Sequence, residues 1–221
     1  PTSSISAFFI KLLRSFSIIQ AKLLILPKIQ KMKLVFATNN PNKLSEIRSL
    51  VPAGIEILSL RDINCNEQLP ETNPTLQENA LQKAQYINTH YGLNCFADDT
   101  GLEIEALGGA PGVYSARYAG EDCKAEDNMK KVLEKLKDES ERTAKFRTVV
   151  ALILDGEETL FEGECNGSIT KTKSGVEGFG YDPIFIPDGY EITFAEMSKV
   201  EKGAISHRGK AVEKLVSFLH R

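Results

Sequence analysis

Cysteine is scarce in this 221-residue sequence, and its four cysteines lie far apart. They form no CxxC pair and have no spacing with histidine that suits a metal ion. This excludes a small fold held together by disulfides and a cysteine-based metal site. We expect reduced, mostly buried thiols in a cytoplasmic protein. The four residues are Cys65, Cys95, Cys123 and Cys165.

An excess of positive charge is also missing. The chain has 27 Lys and Arg against 30 Asp and Glu, a net charge of −3. A general polyanion-binding surface is therefore not indicated, and we expect no nucleic-acid partner. Residues 32–221 alone carry 22 cations against 30 acids, a net charge of −8. If this part handles a nucleotide, it must gather positive charge locally or take it from a metal ion.

Long apolar runs are absent as well. Residues 1–31 are apolar and basic, but Lys11, Arg14 and Lys22 interrupt them before the ~20 residues that a membrane-spanning helix needs. They also lack the order of a secretory signal. Two interpretations stay open: a transit-like amphipathic segment, or a start-site artefact upstream of Met32. We leave this extension out of the fold, place one domain at 32–221, and expect no membrane partner.

The 42% of hydrophobic residues is enough for a sizeable core. Helical and strand periodicities alternate along the chain, and Asp155–Gly156 is typical of a hairpin turn. We predict a two-lobed α/β fold, in which helices flank a long, twisted, mixed central sheet and a cleft separates the lobes. Strands are predicted at 33–38, 55–60, 94–97, 102–107, 144–154 and 158–170. Helices are predicted from 41–43 onward, at 74–91, around 129–136 and at 208–219, with loops at 61–74, 108–120 and 171–190.

The first candidate site segment links a strand to a helix and comprises Thr38, Asn39, Asn40, Pro41, Asn42 and Lys43. The unpaired N–H groups of a helix N-terminus suit a phosphate, and Lys43 adds a full charge within one turn. The segment lacks the glycines of a Walker A loop. The alternative is a simple turn with an asparagine cap.

Acidic residues form the second candidate segment. Asp98 and Asp99 directly follow a predicted buried strand, and two adjacent carboxylates repel each other unless a cation or a proton intervenes. Because carboxylates and water are the ligands that Mg²⁺ takes, these residues, with Glu71 from a loop, could form a magnesium site. The alternative is a solvated Asp-Asp turn before Gly101. Successive strand residues point to opposite faces, so at most one of the pair should face a given site.

Two segments of the C-terminal half complete the set. Phe179, Gly180, Tyr181 and Asp182 place aromatic rings beside glycine, where a planar base could stack. A glycine turn with Phe179 in the core is the alternative. Lys202, His207 and Arg208 precede the last predicted helix, and their cations suit polyphosphate or a carbonyl oxygen. Lys83 lies at the edge of the apolar stripe of the helix at 74–91.

The segments FATNNPNKLSEI, ENALQKA, ADDTGLEIEALGGAPGVYSARYAG, GFGYDPIF and EKGAISHRGKA, in this order, strongly resemble the inosine/xanthosine triphosphate pyrophosphatase family. The resemblance runs from residue 34 to about 219. It implies hydrolysis of noncanonical purine nucleoside triphosphates (ITP, dITP, XTP) to the monophosphate and pyrophosphate, with Mg²⁺, in a cytoplasmic homodimer that cleanses the nucleotide pool. It also implies a two-lobed α/β fold.

The same resemblance implies roles for individual residues. Thr38 to Lys43 would hold the phosphates, Glu71 and Asp99 would bind the metal with support from Asp98, and Asp99 would be the general base. Many members have Ser where this chain has Thr100, whose hydroxyl retains a binding role. The remaining substrate-binding residues would be Lys83, Thr100, Phe179, Gly180, Tyr181, Asp182, Lys202, His207 and Arg208.

Two other functions stay open. One is a nucleotide pyrophosphatase of the septum-inhibitor class, which acts on modified or pyrimidine nucleotides. The other is a nucleotide-binding regulator without hydrolysis, although a pure sensor need not gather three carboxylates near a polyphosphate. For the pyrophosphatase itself, Arg208 or an N–H near His207 would read the 6-oxo group of the purine, which adenine lacks.

Overall fold

The computed structural model describes residues 31–220, and within them the apolar runs form seven strands and the periodic segments five α-helices. The strands are β1 (Met32–Phe36), β2 (Ile55–Leu58), β3 (Cys95–Ile104), β4 (Pro111–Gly112), β5 (Thr143–Leu154), β6 (Glu157–Ile169) and β7 (Phe185–Pro187). The helices are α1 (Pro41–Leu50), α2 (Leu76–Tyr91), α3 (Ala125–Lys135), α4 (Lys199–Ile205) and α5 (His207–Leu219).

The strands form one mixed sheet in the order β2-β1-β3-β5-β6-β7, with β4 paired to β3. Strands β1 and β3 are parallel, whereas β3, β5, β6 and β7 pair antiparallel in succession. The predicted hairpin is confirmed: Asp155 and Gly156 both have positive φ and join β5 to β6. The predicted α/β fold with a mixed central sheet flanked by helices is therefore confirmed.

Three clusters of buried apolar residues place the helices around the sheet. Helix α2 covers one face through Leu76, Ala80 and Ala84. Helices α1 and α5 cover the opposite face, where Ile47 and Val212 pack. The third cluster joins α3 to the far ends of β3, β5 and β6 and to the segment around β7. The long strands β3 and β5 thus pass through two packed regions, which form the two lobes.

The structure extends the strand predicted at 94–97 and excludes the alternative of a solvated Asp-Asp turn before Gly101. Strand β3 continues through Asp98, Asp99 and Thr100, because β5 pairs with it residue by residue from Cys95↔Ile153 to Ile104↔Ala144. The two carboxylates are tolerated inside a buried strand because cationic or amide side chains meet each of them. The separate strand predicted at 102–107 is the end of this same strand.

Three further elements were missed. The predicted loops at 108–120 and 171–190 contain β4 and β7, and the seven-residue helix α4 precedes α5. One helix boundary also differs slightly. Helix α2 begins at Leu76, with Thr75 as its N-cap, instead of at Pro74.

The predictions for the extension fall almost entirely outside the described residues, since these begin at 31. Within the described part, no helix is long and apolar enough to cross a bilayer. The four cysteines are unpaired there, and all but Cys123 are buried.

Candidate active site

One cavity of about 550 Å³ opens between the two packed regions, a size that suits a nucleotide-like ligand. Every site residue predicted from the sequence lines it except Asp98. Further lining residues come from the predicted loop at 108–120, from Cys123 and from the start of α3. These wall residues include Val113, Ser115, Ala116, Arg117, Cys123, Ala125 and Asn128.

The segment before α1 is both a helix cap and a cavity wall. Asn40 is the N-cap, and its Oδ1 accepts hydrogen bonds from the N–H groups of Asn42 (2.9 Å) and Lys43 (3.3 Å). These two amides are thus already paired, contrary to the expectation that they are free for a phosphate. Among the side-chain donors of the segment, the Lys43 ammonium is the one that carries a full charge.

Asp98 is fully buried and lies between two cations from distant parts of the chain. Its Oδ1 is 3.0 Å from Lys43 Nζ, and its Oδ2 accepts from Arg208 Nε at 3.1 Å and from the Thr100 hydroxyl at 3.2 Å. Burial alone would raise the pKa of this carboxyl, but Lys43, Arg208 and Lys83 hold it well below its usual range. Asp98 is therefore an ionised anchor for the cations.

Asp99 points to the other side of the strand, toward helix α2. Its Oδ2 accepts from Asn79 Nδ2 at 3.2 Å, and its Oδ1 is 4.0 Å from Lys83 Nζ. Burial raises the pKa of Asp99 in spite of the lysines nearby. A carboxylate that is less acidic than usual, at the wall of a cavity, is suited to accept a proton.

Lys83 links Asp99 to Glu71. Its ammonium contacts the Glu71 carboxylate and donates to the backbone carbonyl of Asp98 at 2.7 Å. Burial works to lower the pKa of Lys83, yet Asp99, Glu71 and Asp98 together raise it. Asn79 and Lys83 are both buried polar residues of α2, and both contact acidic residues of this wall.

The predicted metal ligands do not all converge. Glu71 and Asp99 approach the same ammonium, whereas both oxygens of Asp98 face the opposite side of β3. Within residues 31–220, no three His, Cys, Asp or Glu side chains form a ready cluster for a metal ion. The geometry therefore favours Glu71 and Asp99 as a pair and leaves Asp98 without support as a ligand.

Glu46 on α1 is a site residue that the sequence reasoning missed. Its carboxylate bridges Lys202 Nζ (2.7 Å) and Arg208 Nη1 (2.5 Å). Lys202 also meets Asp182 at 2.6 Å. The available signal was the spacing of Lys43 and Glu46, which are three residues apart and so share one face of the helix.

Phe179 forms a slot beside these cations. The ring centre lies 5.0 Å from Lys202 Nζ and 5.6 Å from the Arg208 guanidinium carbon. The loop is held because Asp182 accepts from the Phe179 N–H at 2.8 Å. Tyr181, in contrast, is buried and donates its hydroxyl to the Ser115 carbonyl at 2.8 Å, so only Phe179 remains to stack on a planar base.

His207 is the first residue of α5 and is almost fully buried. Its ring stacks on Phe146 at 4.5 Å between centres, and its Nδ1 has no hydrogen-bond partner among the described residues. Burial, reinforced by Arg208 and Lys202, holds the pKa of His207 well below its ordinary value. The lowered pKa favours the neutral imidazole, which lines the cavity as a polar ring.

Comparison with known proteins agrees with this arrangement. The sequence profile of the Ham1 family matches residues 34–218. A dITP/XTP pyrophosphatase of Christiangramia forsetii is 59% identical over 86% of this chain and 100% of its own length. Another of that name from Flavobacterium johnsoniae is 55% identical over 85% of this chain and 98% of its own.

Solved structures show the same fold. A HAM1 protein from Coxiella burnetii superposes with a TM-score of 0.78 at 38% identity, covering 86% of this chain and 98% of that one. A nucleoside-triphosphatase / dITP/XTP pyrophosphatase from Mycobacterium abscessus superposes with a TM-score of 0.68 at 42% identity, over 84% and 99% of the two chains.

Proposed function

The chain belongs to the Ham1 family, and from that premise we propose that it hydrolyses noncanonical purine nucleoside triphosphates, dITP, ITP and XTP, to the monophosphate and pyrophosphate. The observation that carries the proposal is the single cavity that joins the cationic clamp of Lys43, Lys202 and Arg208 to the Asp99 carboxylate and the Phe179 slot. This combination suits a planar base, a polyphosphate and an attacking water.

Asp99 is the general base in this reaction. Its carboxylate accepts a proton from a water while the water oxygen bonds to the α-phosphorus and the bond from that phosphorus to the β-phosphate bridging oxygen breaks. Pyrophosphate leaves with the electron pair of that bond. Lys43 and Lys202 both line the cavity and offset the charge of the pyrophosphate, and Lys83 keeps Asp99 and Glu71 in place.

Mg²⁺ fits the donor set of Glu71 and Asp99. Both carboxylates contact the Lys83 ammonium, so they already converge on one cation at the cavity wall. Hard carboxylate oxygens are the protein ligands that this ion takes, with water and phosphate oxygens completing its shell. When bound, the ion supplies positive charge to the phosphates. Asp98 contributes indirectly, as the anchor of Lys43 and Arg208.

The base is recognised at its 6-position. Arg208 has used three N–H groups on Asp98, Glu46 and Thr100, which leaves two of its five donors. These remaining donors can pair with the 6-oxo group of hypoxanthine or xanthine, whereas the amino group of adenine would meet another donor. Unpaired buried polar groups of this kind support discrimination of about 10⁴-fold.

Pyrophosphate release from ITP, XTP, dITP, GTP, ATP and a pyrimidine triphosphate, with and without Mg²⁺, tests the proposal. We expect release from the first three, dependent on Mg²⁺, and little from ATP. Preferred cleavage of the pyrimidine would favour the septum-inhibitor class instead. Binding of ITP with no release would favour a regulator.

We further propose that the enzyme is a cytoplasmic homodimer, as the family resemblance implies. Light scattering on the purified chain checks the dimer, and fractionation of the source cells checks the compartment.

A further inference from the structure

Five cations line the cavity, and four of them are held by carboxylates. Lys43 pairs with Asp98, Lys83 with Glu71 and Asp99, Lys202 with Glu46 and Asp182, and Arg208 with Glu46 and Asp98. The fifth, Arg117, has no carboxylate within 4.0 Å and no side-chain hydrogen bond to any residue between 31 and 220. We infer that Arg117 binds the polyphosphate tail of the substrate, an inference that rests on the proposed function.

The pairing of the charged side chains favours such a group, in addition to the metal ion. The four paired cations face five carboxylates, namely Glu46, Glu71, Asp98, Asp99 and Asp182. Without Arg117 the ionised side chains therefore have no surplus of positive charge to offer a triphosphate. Arg117 supplies the one guanidinium in the described cavity wall that need not leave a protein partner in order to meet a phosphate. A guanidinium donates two parallel hydrogen bonds to phosphate oxygens.

The backbone around Arg117 is fixed on both sides. The Ser115 hydroxyl accepts from the Leu102 N–H at 2.8 Å and donates to the Gly112 carbonyl at 2.6 Å. Asn128 of α3 donates to the Ala116 carbonyl at 2.8 Å and accepts from the Ala119 N–H at 2.6 Å. A short 3₁₀ turn, Ser115–Arg117, is thereby held against the rest of the lobe.

The side chain itself is also placed. Its guanidinium carbon lies 5.3 Å from the centre of the Tyr114 ring, an aromatic that is 56% exposed. Stacking on a partly exposed ring restricts the rotamers of an arginine without using its hydrogen-bond donors. Arg117 therefore lines the cavity with a guanidinium that makes no ion pair or side-chain hydrogen bond with any residue between 31 and 220.

Calorimetric titration with inorganic tripolyphosphate and with IMP, at fixed ionic strength and fixed Mg²⁺, tests the inference. Tripolyphosphate presents the tail without a base, and IMP presents the base with one phosphate. Arg117→Gln should weaken tripolyphosphate binding by roughly tenfold to a hundredfold, as expected for lost charge-assisted hydrogen bonds, and should leave IMP binding at the wild-type level. Arg117→Lys keeps the charge but loses the paired N–H donors of the guanidinium. Its affinity for tripolyphosphate should lie between those of the wild type and Arg117→Gln.

Arg61→Gln is the matched control, because it removes the same charge from an exposed arginine outside the cavity. It should bind both probes like the wild type. The inference is overturned if the wild type does not bind tripolyphosphate, if Arg117→Gln binds it unchanged, or if Arg61→Gln loses as much affinity. Because this readout does not need turnover, failure of the wild type to release pyrophosphate from any nucleotide would count against the proposed function alone.

Discussion

Single residues in this cavity take opposite roles because of the strand that carries them. Asp98 and Asp99 are neighbours, yet they face opposite sides of β3 and meet different partners. The first is held ionised by Lys43 and Arg208, while burial makes the second a better proton acceptor. Because both residues are aspartates, the role of Asp99 as the proposed proton acceptor comes from its surroundings.

Asp99→Asn tests that assignment. The amide keeps the shape of the side chain and its contact with Asn79, but it cannot accept the proton. We expect kcat for ITP to fall by about 10²- to 10⁴-fold, the usual contribution of a general base, with a much smaller change in KM. Steady-state pyrophosphate release measures both. Asp122→Asn, at a highly exposed acid, is the control, and near-normal turnover of Asp99→Asn would remove the base assignment.

His207 predicts a pH dependence of stability. In the unfolded chain its imidazole takes up a proton near pH 6.5, whereas burial holds the pKa of the folded ring well below that. The stability contributed by the neutral ring is thus present above pH 6.5 and is lost as the pH falls toward the depressed value. The loss approaches about 1.4 kcal/mol per pH unit.

His207→Phe keeps an aromatic ring against Phe146 and removes the titration. Urea denaturation at several pH values below 6.5 should show a shallower loss of stability for this variant than for the wild type. Equal slopes for the two proteins would mean that His207 does not titrate in this way.

At the scale of elements, the loop that carries Phe179 depends on one glycine. Gly178 has φ +74°, and a Cβ there would lie 2.0 Å from Asp182 Oδ2. Gly178→Ala should displace the carboxylate that holds both the Phe179 N–H and Lys202. We expect KM for ITP to rise by roughly tenfold or more, as for the loss of a charge-assisted hydrogen bond.

Gly189→Ala is the matched control for this variant. Gly189 has φ +83° and open space around its Cα, so the alanine brings the same backbone strain without the clash. Initial-rate kinetics of both variants separate strain from displacement. If both raise KM equally, the Asp182 contact is not what orders the loop.

Element prediction from the sequence succeeded where the signal is local. The apolar stripe of the helix predicted at 74–91 is the buried face of α2, and Asp155–Gly156 predicted the hairpin. Helix α4 was missed although Ser198 and Glu201 form a capping box at its start, because its few residues have little apolar periodicity. Strand β3 was cut short because carboxylates were assumed to end it.

The site was predicted less completely than the elements. The residues of the predicted site line one cavity, but their partners come from distant parts of the chain and leave no local signal. Glu46 and Arg208 are 162 positions apart, and Asp98 and Arg208 are 110 apart. No periodicity indicates that Asp98 would serve cations and that Arg117 would stand without a partner in the described part.

On the scale of the whole molecule, Glu46 joins three helices. It lies on α1, and its carboxylate pairs with Lys202 of α4 and Arg208 of α5. Removing one partner of a buried ion pair leaves the others uncompensated, at a cost of about 3–5 kcal/mol. Glu46→Ala should therefore destabilise the fold by an amount of that order, which urea denaturation measures. Glu126→Ala, which removes the exposed partner of Lys173, should change little. Equal shifts would show that the network contributes no more than a surface pair.

Lys43 and Arg208 both pair with the buried carboxylate of Asp98. In the proposed function, selectivity for the base and binding of the phosphates therefore depend on the same residue. An engineer who exchanges Arg208 to admit a different base also removes one of the two cations that meet Asp98 and so alters the charge balance that holds Lys43. We therefore expect variants of Arg208 that change the preference for the base to lose hydrolytic activity as well. A successful redesign has to give Asp98 a substitute cation before it changes anything that touches the base.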